Sequence, residues 1–239
     1  MKLVSQSSRM REIFSRVAPH YGFLNHLLSL GLDTRWRRYA AGLIEVSPEA
    51  NMLDIATGTG VLALEIARHT KSKVKVIGLD ISEEMLTRAR RKVEQAGFTR
   101  RISFQNAPAE ELPFDDDYFE AVAIGFGIRN LSEPIIGLRE IYRVLKPEGR
   151  AVILEFSLPP YRILRFIYRL YLTMVVPLVG RLIAQDEAYR YLSQSVLKMP
   201  GREEFEAVMN ETGFQYARHH NLGLGIGVVH LGEKPLSAA

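Results

Sequence analysis

The feature that most constrains this chain is the run Leu53-Asp54-Ile55-Ala56-Thr57-Gly58-Thr59-Gly60, with Asp80 twenty residues beyond Gly60. An apolar stretch carries an acid, passes through two glycines and enters a helix-like run from Val61 to His69. A second apolar stretch, Val74 to Leu79, ends on Asp80. Strand, glycine turn, helix and carboxylate-tipped strand make a βαβ unit, which implies a parallel sheet. Glycines let backbone approach a ligand with no Cβ in the way. The helix start offers N–H groups without partners. A carboxylate about twenty residues on is placed to accept hydrogen bonds from two ribose hydroxyls. The pattern predicts a bound nucleoside cofactor.

Gly58-x-Gly60-x-x-Ala63 fits the loose dinucleotide fingerprint. Two features favour S-adenosylmethionine instead. Asp54 lies four residues before Gly58, where dinucleotide sites usually carry an apolar residue and methyltransferases carry an acid near the cationic methionine end. Further on, the stretch from Ala109 to Val122 holds Leu-Pro-Phe, then acids, an aromatic and an apolar run. It resembles the region after the third strand of class I methyltransferases. That resemblance implies a cofactor set of Asp54, Ala56, Thr57, Gly58, Thr59, Gly60, Asp80, Ile81, Met85, Pro108, Ala109, Glu110, Gly125 and Phe126.

Residues 8–46 read as helical, with apolar spacing of three and four over Ser15–Leu30 and Asp33–Ile44 and Asp33 as N-cap. Strands are expected near 51–56, 74–79, 101–105, 119–125 and 149–156. Helices are expected near 60–70, 82–96 and 132–145, with Pro134 in a first turn and Pro147-Glu148-Gly149 as a stop. Residues 160–197 break the alternation. Ile163–Ile183 is long enough to span a membrane, but Arg165, Arg169 and Arg181 interrupt it and Pro177 would kink it. We read it as a helical insertion over the site. A helix over Gly201–Thr212 and strands over Phe214–Asn221 and Ile226–Gly232 close a single domain spanning 1–239.

There is no cysteine, which excludes disulfides and thiolate chemistry. A net charge of +4 and a pI near 9.3 are mildly basic, without the interleaved aromatic and basic residues of a nucleic-acid platform. The first twelve residues hold no apolar core of signal-peptide length, so a cytoplasmic protein is expected, attracted to an anionic inner membrane face.

Three further stretches resemble the ubiquinone and menaquinone C-methyltransferases: Tyr21-Gly-Phe-Leu-Asn-His through Trp36, Phe126-Gly-Ile-Arg-Asn130, and Arg143-Val-Leu-Lys-Pro through Ser157. Asp186–Leu192 and Asn221–His230 are similar to the family's C-terminal part. The likeness runs over essentially the whole chain. It implies a class I, Rossmann-like α/β fold with a seven-stranded, mostly parallel sheet, an antiparallel last strand, N-terminal helices and a helical insertion before the last two strands. It implies S-adenosylmethionine as cofactor and a lipophilic quinol as substrate, and it leaves room for a homodimer and for peripheral membrane contact, neither of which it fixes. The chain departs from the family where it has Gly22 for Asp, Asp33 for His, Glu148 for a glycine, Gly125 for Ser and Pro108-Ala109 for Asn/Asp-Ala. Gly22 and Asp33 fall in helices expected on the substrate side.

Arg129 is the leading catalytic candidate, able to stabilise a developing phenolate or hold a water that takes its proton. A guanidinium stays protonated in proteins, which rules it out as a free base. Asn130 could orient the same oxygen or cap the next helix, and Tyr21 could approach a quinol oxygen or pack as a helix aromatic. Asn25, Tyr189, Asn221 and His230 are the expected substrate contacts, although His230, on the last strand, reads more readily as a satisfied structural histidine. Trp36 reads as core, Arg88, Arg90, Arg91 and Lys92 as a solvated helix face, and no metal site is expected. Two other functions fit these residues: methylation of another lipophilic phenol or secondary metabolite, and a weakly active cofactor-binding subunit of a lipid-biosynthesis assembly.

Overall fold

The computed structural model describes residues 21–70, 73–182 and 186–236. Seven strands form one sheet in the order β3-β2-β1-β4-β5-β7-β6. They are β1 Asn51–Ile55, β2 Lys75–Asp80, β3 Ile102–Asn106, β4 Phe119–Gly125, β5 Leu145–Phe156, β6 Gln215–Leu222 and β7 Gly227–Glu233. All neighbours pair in parallel except β7, which runs antiparallel to β5 and β6. The chain builds outward through β2 and β3, then returns to place β4 on the other side of β1. That reversal between β1 and β4 opens a crevice at the strands' carboxyl ends.

Side chains alternate across each strand, so the sheet has two apolar faces. Met52, Ala121, Val152 and Val229 meet one core with Leu62, Ala63 and Ile66 of α3 (Val61–His69) and with the N-terminal helices α1 (Tyr21–Leu28) and α2 (Asp33–Gly42). Leu53, Ile55, Val122 and Ile153 meet the other core with α5 (Pro134–Val144) and α9 (Arg202–Glu211). Asp54 shares the face of Met52. It therefore points beneath α2 and α3 and is fully buried.

Local chemistry sets the helix starts. Ser82 caps α4 (Glu83–Gln95) by accepting from the Met85 N–H at 3.4 Å, with Glu83 and Glu84 in the first turn. Pro134 occupies the first turn of α5. Glu204 reaches back to the Gly201 N–H at the head of α9.

Several expectations need correction. Asp33 is not an N-cap. It is the first residue of α2, Leu32 precedes it without a side-chain cap, and the Asp33 carboxylate is engaged by Arg37, His26 and Ser29. Strand β5 begins at Leu145, four residues early. Leu145 pairs with Phe119 and Arg150 with Ala121, so Pro147-Glu148-Gly149 bulges inside the strand instead of separating helix from strand. The part of the expected helical stretch over 8–20 lies outside the described residues. Residues 162–182 form α6 (Arg162–Leu170), a π-helical turn (Tyr171–Val175) and α7 (Val176–Leu182), followed by α8 (Asp186–Lys198). The wide turn ends two residues before Pro177, whose ring would otherwise meet the carbonyl of Thr173.

Candidate active site

Two clefts meet at the carboxyl ends of β1, β2 and β4 and share Ala56. The first is an open cleft lined by Ala56, Gly58, Leu79, Asp80, Ile81, Met85, Ala107, Pro108, Ala109, Glu110, Gly127, Asn130, Leu131 and Ser132. The second is lined by Gly22, Asn25, Asp33, Arg37, Asp54, Ala56, Thr57, Thr59, Val61, Leu62 and Gly125.

In the first cleft the Asp80 carboxylate is fixed by the backbone. One oxygen accepts from the Gly58 N–H at 2.8 Å and the other from the Ser82 N–H at 2.9 Å. Gly58 reaches this geometry at φ +55°. Burial pushes Asp80 up to about 6, against the pull of these N–H groups. Glu110 accepts from the Ser132 N–H at 2.7 Å and so ties the loop after β3 to the loop after β4.

In the second cleft Asp54 accepts from the Thr57 hydroxyl at 2.6 Å, and its other oxygen is buried with no partner. Burial pushes it up to about 7, opposed by the Thr57 hydrogen bond, by the backbone N–H of Ala63 and by the charge of Arg37. Asn25 is fully buried, and neither its amide oxygen nor its amide nitrogen has a partner. Arg37 is buried, ion-paired with Asp33, and lies 4.8 Å from the Phe126 ring centre. Lys92 turns inward to donate to the Thr59 hydroxyl at 2.9 Å, so it does not belong to the solvated face of α4. Buried polar atoms without partners are costly. Their gathering here marks a pocket shaped for a polar ligand.

The remaining expected residues are dispersed. Gly60 lines neither cleft; at φ +74° its missing Cβ spares Ala89 and Phe104, at 3.1 and 3.2 Å. The Phe126 side chain is core, stacked 4.4 Å from Phe156, while its carbonyl accepts from Arg129 and Asn130. Asn130 thus closes its own 3-10 turn (Ile128–Asn130) and does not cap α5. Arg129 is buried against Glu155, donates to Ser195 at 3.2 Å, sits 5.0 Å above the Phe156 ring, and keeps one guanidinium nitrogen unpartnered. Burial pushes the Glu155 carboxyl up and the Arg129 charge opposes it. Tyr21 opens α1, but its side chain lies outside the description.

The substrate residues need most correction. Asn25 lines the second cleft, opposite Asp54. Tyr189 is buried against Gly180 with its hydroxyl unpartnered. Asn221 is exposed on the edge strand β6. His230 sits inside the α9 core, 4.7 Å from Phe205, where burial pushes it down to about 3. Gly22 and Asp33, expected on the substrate side, also line the second cleft. Sequence reasoning missed Arg37, Lys92 and Glu155. Among the described residues no cluster of three His, Asp or Glu could hold a metal.

The model of the ubiE/COQ5 methyltransferase family matches residues 2–234. The chain belongs to that family. It is 45% identical over 233 residues to the ubiquinone/menaquinone biosynthesis C-methyltransferase UbiE of Geotalea daltonii, covering 98% of this chain and 99% of that one. It is 40% identical to the demethylmenaquinone methyltransferase of Porphyromonas gingivalis, covering 96% and 94%. Among solved structures, a putative S-adenosyl-L-methionine-dependent methyltransferase from Methanococcus maripaludis shares the fold with a TM-score of 0.66 at 18% identity, over 94% of this chain and 95% of that one. The chain is therefore a class I methyltransferase whose cofactor is S-adenosylmethionine. The paired clefts fit that cofactor: Asp80 lines one, and the orphaned oxygen of Asp54 lies in the other.

Proposed function

We propose that this enzyme C-methylates the ring of a polyprenyl quinol precursor in menaquinone or ubiquinone biosynthesis. The observation that carries the reading is the likeness to relatives named for that reaction, which includes the N-terminal and C-terminal helices as well as the cofactor half. In this reading Asp80 accepts from the ribose hydroxyls, while Ile81, Met85 and Pro108–Glu110 line the adenosine end. Asp54 and the Thr57–Thr59 turn face the methionine end.

The bound cofactor supplies an electrophilic methyl on a sulfonium. The residues must bring a ring carbon into line with it, exclude water and assist loss of the phenolic proton. Alignment contributes up to about 7–11 kcal/mol. Arg129, fixed by Glu155, Ser195 and the Phe126 carbonyl, offers its free guanidinium nitrogen to the developing phenolate. Asn130 and Tyr21 are further contacts to the ring.

The chain acts as one domain, with 160–197 as a lid resting on a membrane. Arg162–Leu182 is long and apolar enough to cross a membrane by length and composition. Its buried residues, Tyr168, Leu172, Val176 and Gly180, repeat every fourth position and dock on the protein. Tyr168 and Tyr171 also donate to the carbonyls of Leu28 and Leu27. A helix docked along one face lies flat. Ile163, Phe166, Met174, Leu178 and Leu182 remain outward and exposed, with Arg162, Arg165, Arg169 and Arg181 on the same helical run. That arrangement suits the plane of an anionic bilayer at the cytoplasmic face, where a lipophilic quinol resides.

The test is incubation of pure protein with methyl-labelled cofactor and a panel of reduced benzoquinones and naphthoquinones, followed by mass spectrometry of the lipid. Label on a ring carbon is expected. Label on oxygen, or only on phenols without a prenyl chain, would refute the assignment.

A further inference from the structure

The second cleft holds more charge and more unpartnered polar atoms than a strand end requires. We propose that the N-terminal helices build a clamp for the amino-acid end of the cofactor: Arg37 takes the carboxylate, Asp33 positions Arg37, and Asn25 shares the ammonium with Asp54. The inference rests on S-adenosylmethionine being the cofactor and adds which residues of this chain read its zwitterionic end.

Four observations converge. Arg37 and Asn25 line the same cleft as Asp54. Arg37 is buried, and its charge acts on Asp54. The Asn25 amide offers one donor and one acceptor, both buried and both unused. One oxygen of Asp54 is equally unused. A zwitterion answers this set: its carboxylate accepts from the Arg37 guanidinium and the Asn25 N–H, and its ammonium donates to the Asn25 and Asp54 oxygens. Arginine suits the task because its planar fork matches a carboxylate and it is weakly hydrated.

Asp33 explains how Arg37 stays in place. The two pair across one helical turn, with side chains equally buried. Asp33 also accepts from the Ser29 hydroxyl at 3.4 Å, and its backbone N–H donates to that hydroxyl at 3.0 Å. The carboxylate is thereby fixed on two sides and holds the guanidinium against the Phe126 ring. Asp33 is a positioning residue. Its departure from the family's histidine acts on the cofactor through Arg37.

The experiment compares two nucleosides on the full-length protein by titration calorimetry. S-adenosylhomocysteine carries the amino-acid end; 5′-methylthioadenosine lacks it. Arg37→Gln is expected to weaken S-adenosylhomocysteine by about 10- to 100-fold, the range for a hydrogen bond to a charged group, and to change 5′-methylthioadenosine by less than about 2-fold. Arg37→Lys should recover part of the loss, and Asp33→Asn should show a smaller split of the same sign. Because Arg37→Gln leaves Asp33 buried and unpaired, Asp33→Leu combined with Arg37→Leu provides a neutral interior that folds independently of the pair; it must show the same split. Equal loss of both nucleosides, or loss of neither, overturns the clamp while leaving the cofactor assignment intact. Failure of the unaltered protein to bind either nucleoside would instead defeat the cofactor assignment.

Discussion

Replacing Asp54 by Asn should stabilise the protein while removing cofactor binding, and the size of the gain follows from where Asp54 sits. Its carboxyl is fully buried and pushed from the ordinary 3.8 up to about 7. At 1.36 kcal/mol per pH unit, the folded state favours the protonated form by about 4 kcal/mol. The sign follows from linkage. The folded protein holds this proton more tightly than the unfolded chain does, so the associated stability is intact below about pH 4. It is lost as pH rises towards 7, and is fully lost above it. Asn keeps the acceptor for the Thr57 hydroxyl and has no proton to lose. The advantage of Asp54→Asn should therefore be below about 2 kcal/mol at pH 5, grow through pH 6 and level off near 4 kcal/mol by pH 8. Asp80, also raised, is present in both proteins, and its charge adds to the rise at Asp54, so the gain includes relief of that repulsion. Urea unfolding of both proteins at pH 5, 6.5 and 8, without cofactor, reads this directly. Adding S-adenosylhomocysteine should restore stability to the parent and not to the variant. A gain independent of pH, or a loss at pH 8, would mean that Asp54 is not held at a strained charge, and the reasoning would fail.

Asp80→Ala removes the ribose acceptor and frees the Gly58 and Ser82 N–H groups; S-adenosylhomocysteine binding by calorimetry should weaken by roughly 1.5–3 kcal/mol. Arg129→Ala leaves Glu155 buried and unpaired, so it should cost about 3–5 kcal/mol of stability. Arg129→Lys is thus the cleaner kinetic probe; single-turnover rates at saturating substrates should fall far more than cofactor affinity, because one ammonium cannot replace a fork. Gly125→Ser restores the residue usual in the family, yet a Cβ there would meet the Leu62 side chain at 2.9 Å. It should destabilise by about 1–3 kcal/mol, and Leu62→Ala in the same chain should cancel part of that loss in a urea-unfolding cycle. Binding to anionic liposomes should fade as salt rises and drop with Phe166→Ser and Met174→Ser together; extraction only by detergent would indicate a spanning helix instead.

Much of the fold was legible because its signals are local. The glycine turn, the apolar strands and Pro134 act within a few residues, and the strands of the cofactor half lie within a residue or so of expectation. The misread edge at Leu145 has a different cause: pairing with Phe119 carries the strand across a Pro-Glu-Gly bulge that in sequence reads as a stop. The first cleft was legible where backbone makes it, at Gly58, Asp80 and Pro108–Glu110, which line it. The site was illegible where burial decides. Arg37 and Arg38 are adjacent in Trp36-Arg37-Arg38-Tyr39, yet Arg37 is buried beside Asp54 while Arg38 is exposed and reaches Glu65. Helical spacing puts Arg37 on the stripe of Asp33, Trp36, Ala40 and Ala41 and leaves Arg38 off it, but it does not reveal that this stripe lies over β1 beside Asp54. Of the two readings open for His230, the structural one holds for the same reason: α9 covers the face of β7 that it occupies.

Helix α1 joins the two halves of the site. Asn25 faces the second cleft from its middle, and the carbonyls of Leu27 and Leu28, less than one turn later, accept from Tyr171 and Tyr168 of the outer helices. These hydroxyls tie the outer helices to α1, so those helices cannot shift as a body without breaking the ties or moving α1. The wide turn at Tyr171–Val175 keeps Tyr168, Leu172, Val176 and Gly180 on one side despite Pro177, and thereby keeps the opposite apolar side outward. The helix that presents a greasy surface and the helix that presents Asn25 to the cofactor are thus mechanically one unit. A membrane-borne substrate and a soluble cofactor would be read from opposite ends of the same short segment.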